Sequence, residues 1–134
     1  NDTKRIIRAL EIIQVSGVDH KRSWNSAGNP EKRLFPCPIL VIDHPRKVLN
    51  SRINERVETM FESGILEETE AAEQQYGIGK TAAQAAGYKE SLACIRGEMT
   101  KQEAITKTKQ RTRQLAKRQR TWFRSFSDAV WLSG

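Results

Sequence analysis

Residues 100–124 read TKQEAITKTKQRTRQLAKRQRTWFR, and this stretch decides how the rest of the chain is read. Thr100 and Glu103 have the spacing of a capping box, in which each side chain accepts from the other's backbone N–H. Neither Gly nor Pro interrupts residues 101–124, so the spacing predicts one helix of about seven turns. The stretch carries nine Lys and Arg against one acid. Over residues 1–100, fourteen basic and fourteen acidic residues cancel. Over 101–134, nine basic against two acidic leave the whole excess of +7. A block of one sign on a rigid helix is an electrostatic footprint for polyanions.

The faces of this helix are unlike. Ile105, Thr108, Thr112, Leu115, Gln119 and Trp122 fall on one seam, widened by Ala116, Phe123 and Phe126. Thr and Gln there predict a helix that packs on one side yet lines something polar along part of its length. Lys107, Arg111 and Arg118 form one cationic stripe. Lys109, Arg113, Lys117, Arg120 and Arg124 form a second, with a single acid to offset both.

Working outward, a first helix is expected from Asp2 or Thr3 to Ser16, with Ile6, Ile7, Leu10 and Ile13 as its apolar stripe and Gly17 as its stop. Residues 17–36 read as a long loop, rich in Gly, Asn, Ser and charge. Pro38-Ile39-Leu40-Val41-Ile42 is a short, β-branched apolar run, the signature of a strand buried on both faces. A helix follows from Pro45 to about Ser63, with Val48, Leu49, Ile53, Val57, Met60 and Phe61 inward and Gly64 ending it. Residues 65–76 predict an acidic helix whose glutamates are solvated surface, broken by Gly77. The small residues at 82, 83, 85, 86 and 87 permit close backbone approach. Tyr88 to Arg96 is helical, with Leu92 and Ile95 facing the core, and residues 129–132 suggest a short final strand.

At 134 residues the chain holds one domain with a modest core. It begins Asn-Asp rather than with Met and reads as a fragment or a processed product. No apolar run has the length of a membrane span or a signal-peptide core. Cys37 and Cys94 read as small buried apolar residues of a cytoplasmic protein. His20 and His44 are isolated, neither spaced with a cysteine as metal ligands. Gly79-Lys80-Thr81 mimics the end of a phosphate loop, but Gln74 stands where the first Gly of that motif belongs, and an acidic helix precedes it instead of a strand. Arg52 and Arg56 stand one turn apart just beyond a strand's carboxyl end, where open α/β sheets bind phosphates. Glu55, three residues after Arg52, leaves a plain ion-paired edge as the alternative. The residues by themselves indicate part of an α/β protein that binds RNA or DNA phosphates, without a catalytic constellation.

Four segments, in order, resemble one family. They are Asn1-Asp2 with Arg5-Ile6 and Arg8-Ala9-Leu10-Glu11, Arg52-Ile53 with Arg56-Val57, Gln84-Ala85 with Gly87-Tyr88-Lys89-Glu90, and Thr112-Arg113-Gln114-Leu115-Ala116-Lys117-Arg118-Gln119 with Thr121-Trp122-Phe123-Arg124. Together they resemble the C-terminal part of the tRNA dimethylallyltransferases. The resemblance implies a three-layer, P-loop kinase-like α/β fold, of which this part is mostly helical with one or two short strands. It implies transfer of a dimethylallyl group from dimethylallyl diphosphate to N6 of adenine 37 of tRNA, the base being flipped out to react. Arg56, with Arg52 one turn earlier, corresponds to the diphosphate-contacting arginine, where leaving-group charge is stabilised. Gln84, Ala85, Ala86, Gly87, Tyr88 and Lys89 resemble one tRNA-contacting segment. Thr112, Arg113, Gln114, Lys117, Arg118 and Gln119 resemble another.

The family's phosphate loop and general base precede this stretch, so this chain alone is expected to be inactive and to hold no catalytic residue. ATP-type nucleotide binding and Mg2+ are implied for the family, the metal being held mainly by the missing part. The expected partners are the tRNA anticodon stem-loop and the prenyl diphosphate, on a monomer. A stand-alone RNA-binding module is the alternative, and a fragment of another P-loop kinase is a third.

Overall fold

The computed structural model describes residues 3–17 and 37–134. The expected loop at 17–36 lies outside these residues beyond Gly17. The elements are α1 (Thr3–Ser16), β1 (Leu40–Asp43), α2 (Arg46–Glu62), α3 (Ile65–Tyr76), a short 3-10 turn (Ala82–Gln84), α4 (Tyr88–Ile95), α5 (Lys101–Phe123) and β2 (Val130–Ser133). They fall into two compact units, one of Asn1–Ile42 with Thr121–Ser133 and one of Asp43–Arg120 with Gly134.

In the first unit α1 carries the expected stripe, but Ile6, Ile7, Leu10 and Ile13 remain exposed among the described residues. β1 and β2 pair as a two-stranded sheet. Val130 N–H donates to Ile39 O, and Gly134 N–H to Asp43 O. Both strands advance four residues between these bonds, so they run parallel. The expectation of a strand buried on both faces is corrected. Val41 is buried, while Leu40 and Ile42 are 61% and 69% exposed. An apolar run signals what a strand can bury, and what lies over the sheet decides what it does bury. Trp122 packs edge-on against Phe123 and Phe126, with ring centroids 5.0 and 4.8 Å apart.

In the second unit α2 buries Ile53, Val57 and Phe61, while Val48 is exposed. Pro45 sits one residue before the helix, as its N-cap, rather than inside the first turn. Gly64 links α2 to α3 with φ 98, a left-handed conformation that costs glycine little. Val57, Phe61, Ile65 and Ala104 form the core, with Met60, Leu66, Cys94, Met99 and Ile105 packed around them. Each large side chain so buried contributes roughly 1.5–3 kcal/mol. Leu92 is buried as expected. Ile95, the last helical residue of α4, is 37% exposed rather than part of the core. Cys37 is exposed and only Cys94 reaches the core, so the reading of both cysteines as buried holds for neither fully.

The Thr100 capping box forms as the spacing predicts. Thr100 N–H donates to Glu103 Oε2 at 2.8 Å, and Glu103 N–H to Thr100 Oγ1 at 3.2 Å. These bonds, with the Lys107 charge, hold the Glu103 carboxyl below its ordinary range, the backbone bond contributing most.

Candidate functional site

At 100° per residue, the inward seam of α5 separates its two cationic stripes. The seam closes at its start and opens towards its end. Ala104 and Thr108 are fully buried, Thr112 is half-buried, and Leu115 and Gln119 are exposed. Thr112 Oγ1 donates to Thr108 O, so its hydroxyl serves its own helix.

The stripes are not bare, which corrects the picture of nine cations facing one acid. Lys109 pairs with Glu58 and Arg120 Nη2 with Asp43 Oδ2 at 2.6 Å. Arg113 Nη1 donates to Asn54 Oδ1 at 2.6 Å. Going forward along α5, these contacts step backward along α2 and into the end of β1, so the two helices run antiparallel. Arg111, on the other stripe, reaches Glu90 Oε1 at 2.8 Å and Gln84 O at 3.1 Å. The acids come from residues distant in sequence, so counting charge within one segment could not find them. Of the predicted α5 set, Gln114, Lys117, Arg118 and Gln119 are exposed, and Thr112 and Arg113 half-buried.

Gln84, Ala85, Ala86 and Lys89 form the more open part of the other predicted tRNA segment, whereas Gly87 is buried and Tyr88 half-buried. Gly87 has φ 99 and ψ −61. A Cβ there would stand 3.2 Å from Met60 Cε and 3.3 Å from Ile65 Cδ1. Tyr88 Oη donates to Glu68 Oε1 at 2.5 Å. That bond and the Glu68 charge raise the phenol above its ordinary value, with a small contribution from burial. Glu73 accepts from Ile78 N–H at 2.7 Å and from Arg96 at 3.3 Å. Two glutamates of the acidic helix therefore hold neighbouring segments instead of being merely solvated. Beside Arg111 lies a cleft of about 290 Å³ with Ala93 and Met99 among its lining and Lys89 and Lys107 as its lysines.

Arg52 and Arg56 lie on the flank of α2 nearly opposite Asn54 and Glu58, by the helical period. Both are exposed. Arg52 Nη1 lies 3.0 Å from His44 Nε2. Arg111, just before the second predicted tRNA segment, thus bonds Gln84 of the first, while Arg52 and Arg56 lie on the flank of α2 away from the side that meets α5. The side chain of Arg5 lies outside the described structure, and Arg8 makes an exposed pair with Glu11. Sequence reading missed Glu90, Asn54 and Ala104. For Glu90 the signal was available, since it lies three residues after Gly87 in the position that caps a helix start.

Compared with known proteins, residues 1–126 match the family described as IPP transferase. The chain belongs to the IPP transferase family. A tRNA dimethylallyltransferase of Shouchella clausii is 42% identical over 98% of this chain and 41% of its own length. The solved tRNA isopentenylpyrophosphate transferase of Bacillus halodurans is 33% identical, with a TM-score of 0.72, over 99% of this chain and 39% of its own. That of Staphylococcus epidermidis is 32% identical, with a TM-score of 0.73, over 99% of this chain and 43% of its own. The chain spans about two fifths of the length of these family members. Its helices and paired strands are therefore a family fold of the expected, mostly helical kind. No described helix is long and apolar enough to cross a membrane.

Proposed function

We propose that this chain supplies the tRNA-holding and diphosphate-facing residues of a tRNA dimethylallyltransferase. The observation that carries this reading is the 42% identity to a tRNA dimethylallyltransferase across 98% of the chain. In the reaction, N6 of the adenine next to the anticodon attacks the allylic carbon of dimethylallyl diphosphate. The C–O bond to diphosphate breaks, and the N6 proton passes to a base outside this chain. Arg56, with Arg52, offsets the charge that gathers on the departing diphosphate. Their exposure on one flank of α2 supports that role, because an anion can reach both guanidiniums.

The tRNA lies against Gln84 to Lys89 and along Thr112 to Gln119. The open end of the α5 seam admits RNA between side chains whose cations hold the backbone. The bond from Arg113 to Asn54 is to a neutral amide and brings no opposite charge to the guanidinium. The Mg2+ implied for the family finds no group of three His, Cys, Asp or Glu among the described residues. The groups this chain offers the diphosphate in this reading are the arginines Arg52 and Arg56.

The test compares wild type with Arg113→Ala/Lys117→Ala in the full-length protein. The double variant weakens tRNA binding and flattens the plot of log affinity against log salt by about 1.5, the value for two lost phosphate contacts. An unchanged slope removes α5 from the RNA. In the same protein, Arg56→Ala raises the KM for dimethylallyl diphosphate more than it weakens tRNA binding.

A further inference from the structure

Glu90 is a carboxylate only 3% exposed, and an isolated charge at such a depth is costly. Both of its oxygens are used. Oε2 accepts from Gly87 N–H at 3.0 Å, and Oε1 accepts from Arg111 Nη1 at 2.8 Å. The second arm of Arg111 donates to Gln84 O at 3.1 Å. A closed relay thus grips the backbone of residues 84–87 at both ends. Between the grips, Ala85 and Ala86 are exposed and carry no side-chain group that could fix them.

We propose that Glu90 and Arg111 are positioning residues that fix segment 84–89 for RNA, and that Arg111 is not itself a phosphate ligand. The inference rests on the proposed tRNA-holding role of that segment. Arg111 belongs by sequence to a cationic stripe, yet its charge is met by a buried carboxylate and both its terminal nitrogens are bonded to acceptors of this chain. A guanidinium is suited to this task because its planar fork serves two acceptors at once, which an ammonium does not reproduce. Glu90 in turn offers two acceptors to two donors, so a glutamine would turn its NH2 towards one of them.

The experiment uses the full-length protein with Glu90→Gln, Arg111→Gln, Arg111→Lys and the Glu90→Gln/Arg111→Gln double variant. Arg113→Ala/Lys117→Ala serves as the control. Amide exchange and tRNA affinity across a salt series are measured for each. Exchange is expected to quicken at 84–88 in every Glu90 or Arg111 variant and to stay unchanged in α2. Each single variant weakens tRNA binding by about tenfold, the factor that 1.4 kcal/mol represents. The double variant loses little more than either single, because the two act as one unit. The salt slope and the KM for dimethylallyl diphosphate stay at their wild-type values.

Three outcomes overturn the proposal. One is unchanged exchange at 84–88. Another is wild-type affinity in Arg111→Lys with a slope lowered in Arg111→Gln alone, which makes Arg111 a phosphate ligand. The third is wild-type affinity in the Glu90 variants while the control weakens. If exchange quickens but the control also binds tRNA normally, the positioning stands and the tRNA reading falls.

Discussion

Replacing Gly87 by alanine tests the turn on which the candidate RNA surface is built. Its φ of 99 and ψ of −61 lie where side-chain-bearing residues are strained, at a cost of about 1–3 kcal/mol. The new methyl would also stand 3.2 Å from Met60 Cε and 3.3 Å from Ile65 Cδ1. The methionine end is flexible and can move aside. Ile65 belongs to the core and can yield only by shifting its neighbours, which adds about 1 kcal/mol. The expected loss is therefore about 2–4 kcal/mol, read from the midpoint of equilibrium urea unfolding. Gly79→Ala is the matched control, because its backbone φ is not positive and nothing lies within 4 Å of the added methyl. It should be neutral or slightly stabilising. Equal losses at the two positions would refute both the strain and the steric parts of the reasoning.

Two pH dependences arise from local bonds. The Tyr88 phenol has a folded pKa above its unfolded value near 10.0, chiefly through its bond to Glu68. Its contribution is fully present below that unfolded value and is lost as pH rises through the folded pKa. Unfolding measured across the alkaline range should therefore show a loss in wild type that Tyr88→Phe lacks, and identical profiles would exclude the bond. Glu103 has a folded pKa below its ordinary 4.5, chiefly through Thr100 N–H. Its contribution is present above 4.5 and is lost as pH falls through the folded pKa. Thr100→Val removes the hydroxyl but keeps the N–H, so the carboxyl midpoint followed by NMR should rise only part of the way; no movement would deny the hydroxyl a role.

Much of the fold was legible because its signals are local. Gly64, Gly77 and the Thr100–Glu103 box mark where helices begin and end, and the structure starts or stops them within a residue or two of those marks. The inward positions Ile53, Val57 and Phe61 follow from the helical period. Burial of the strand was not legible, since Leu40 and Ile42 depend on what lies over the sheet. Nor were the roles of glutamates, because Glu68, Glu73 and Glu90 look alike in sequence and differ only in what approaches them.

The sequence by itself determined where the helices lie, where the positive charge is concentrated, and which segments resemble a prenyltransferase. These depend on spacing, composition and order along the chain. Only the tertiary structure decided which cations of α5 meet acids. Lys109, Arg111 and Arg120 meet acids from α2, α4 and β1, while Arg113 meets a neutral amide. Electrostatic pairing depends on distance in space. The pairs joining α5 to these acids span 21 to 77 residues of chain, and only folding brings such charges within a few ångströms.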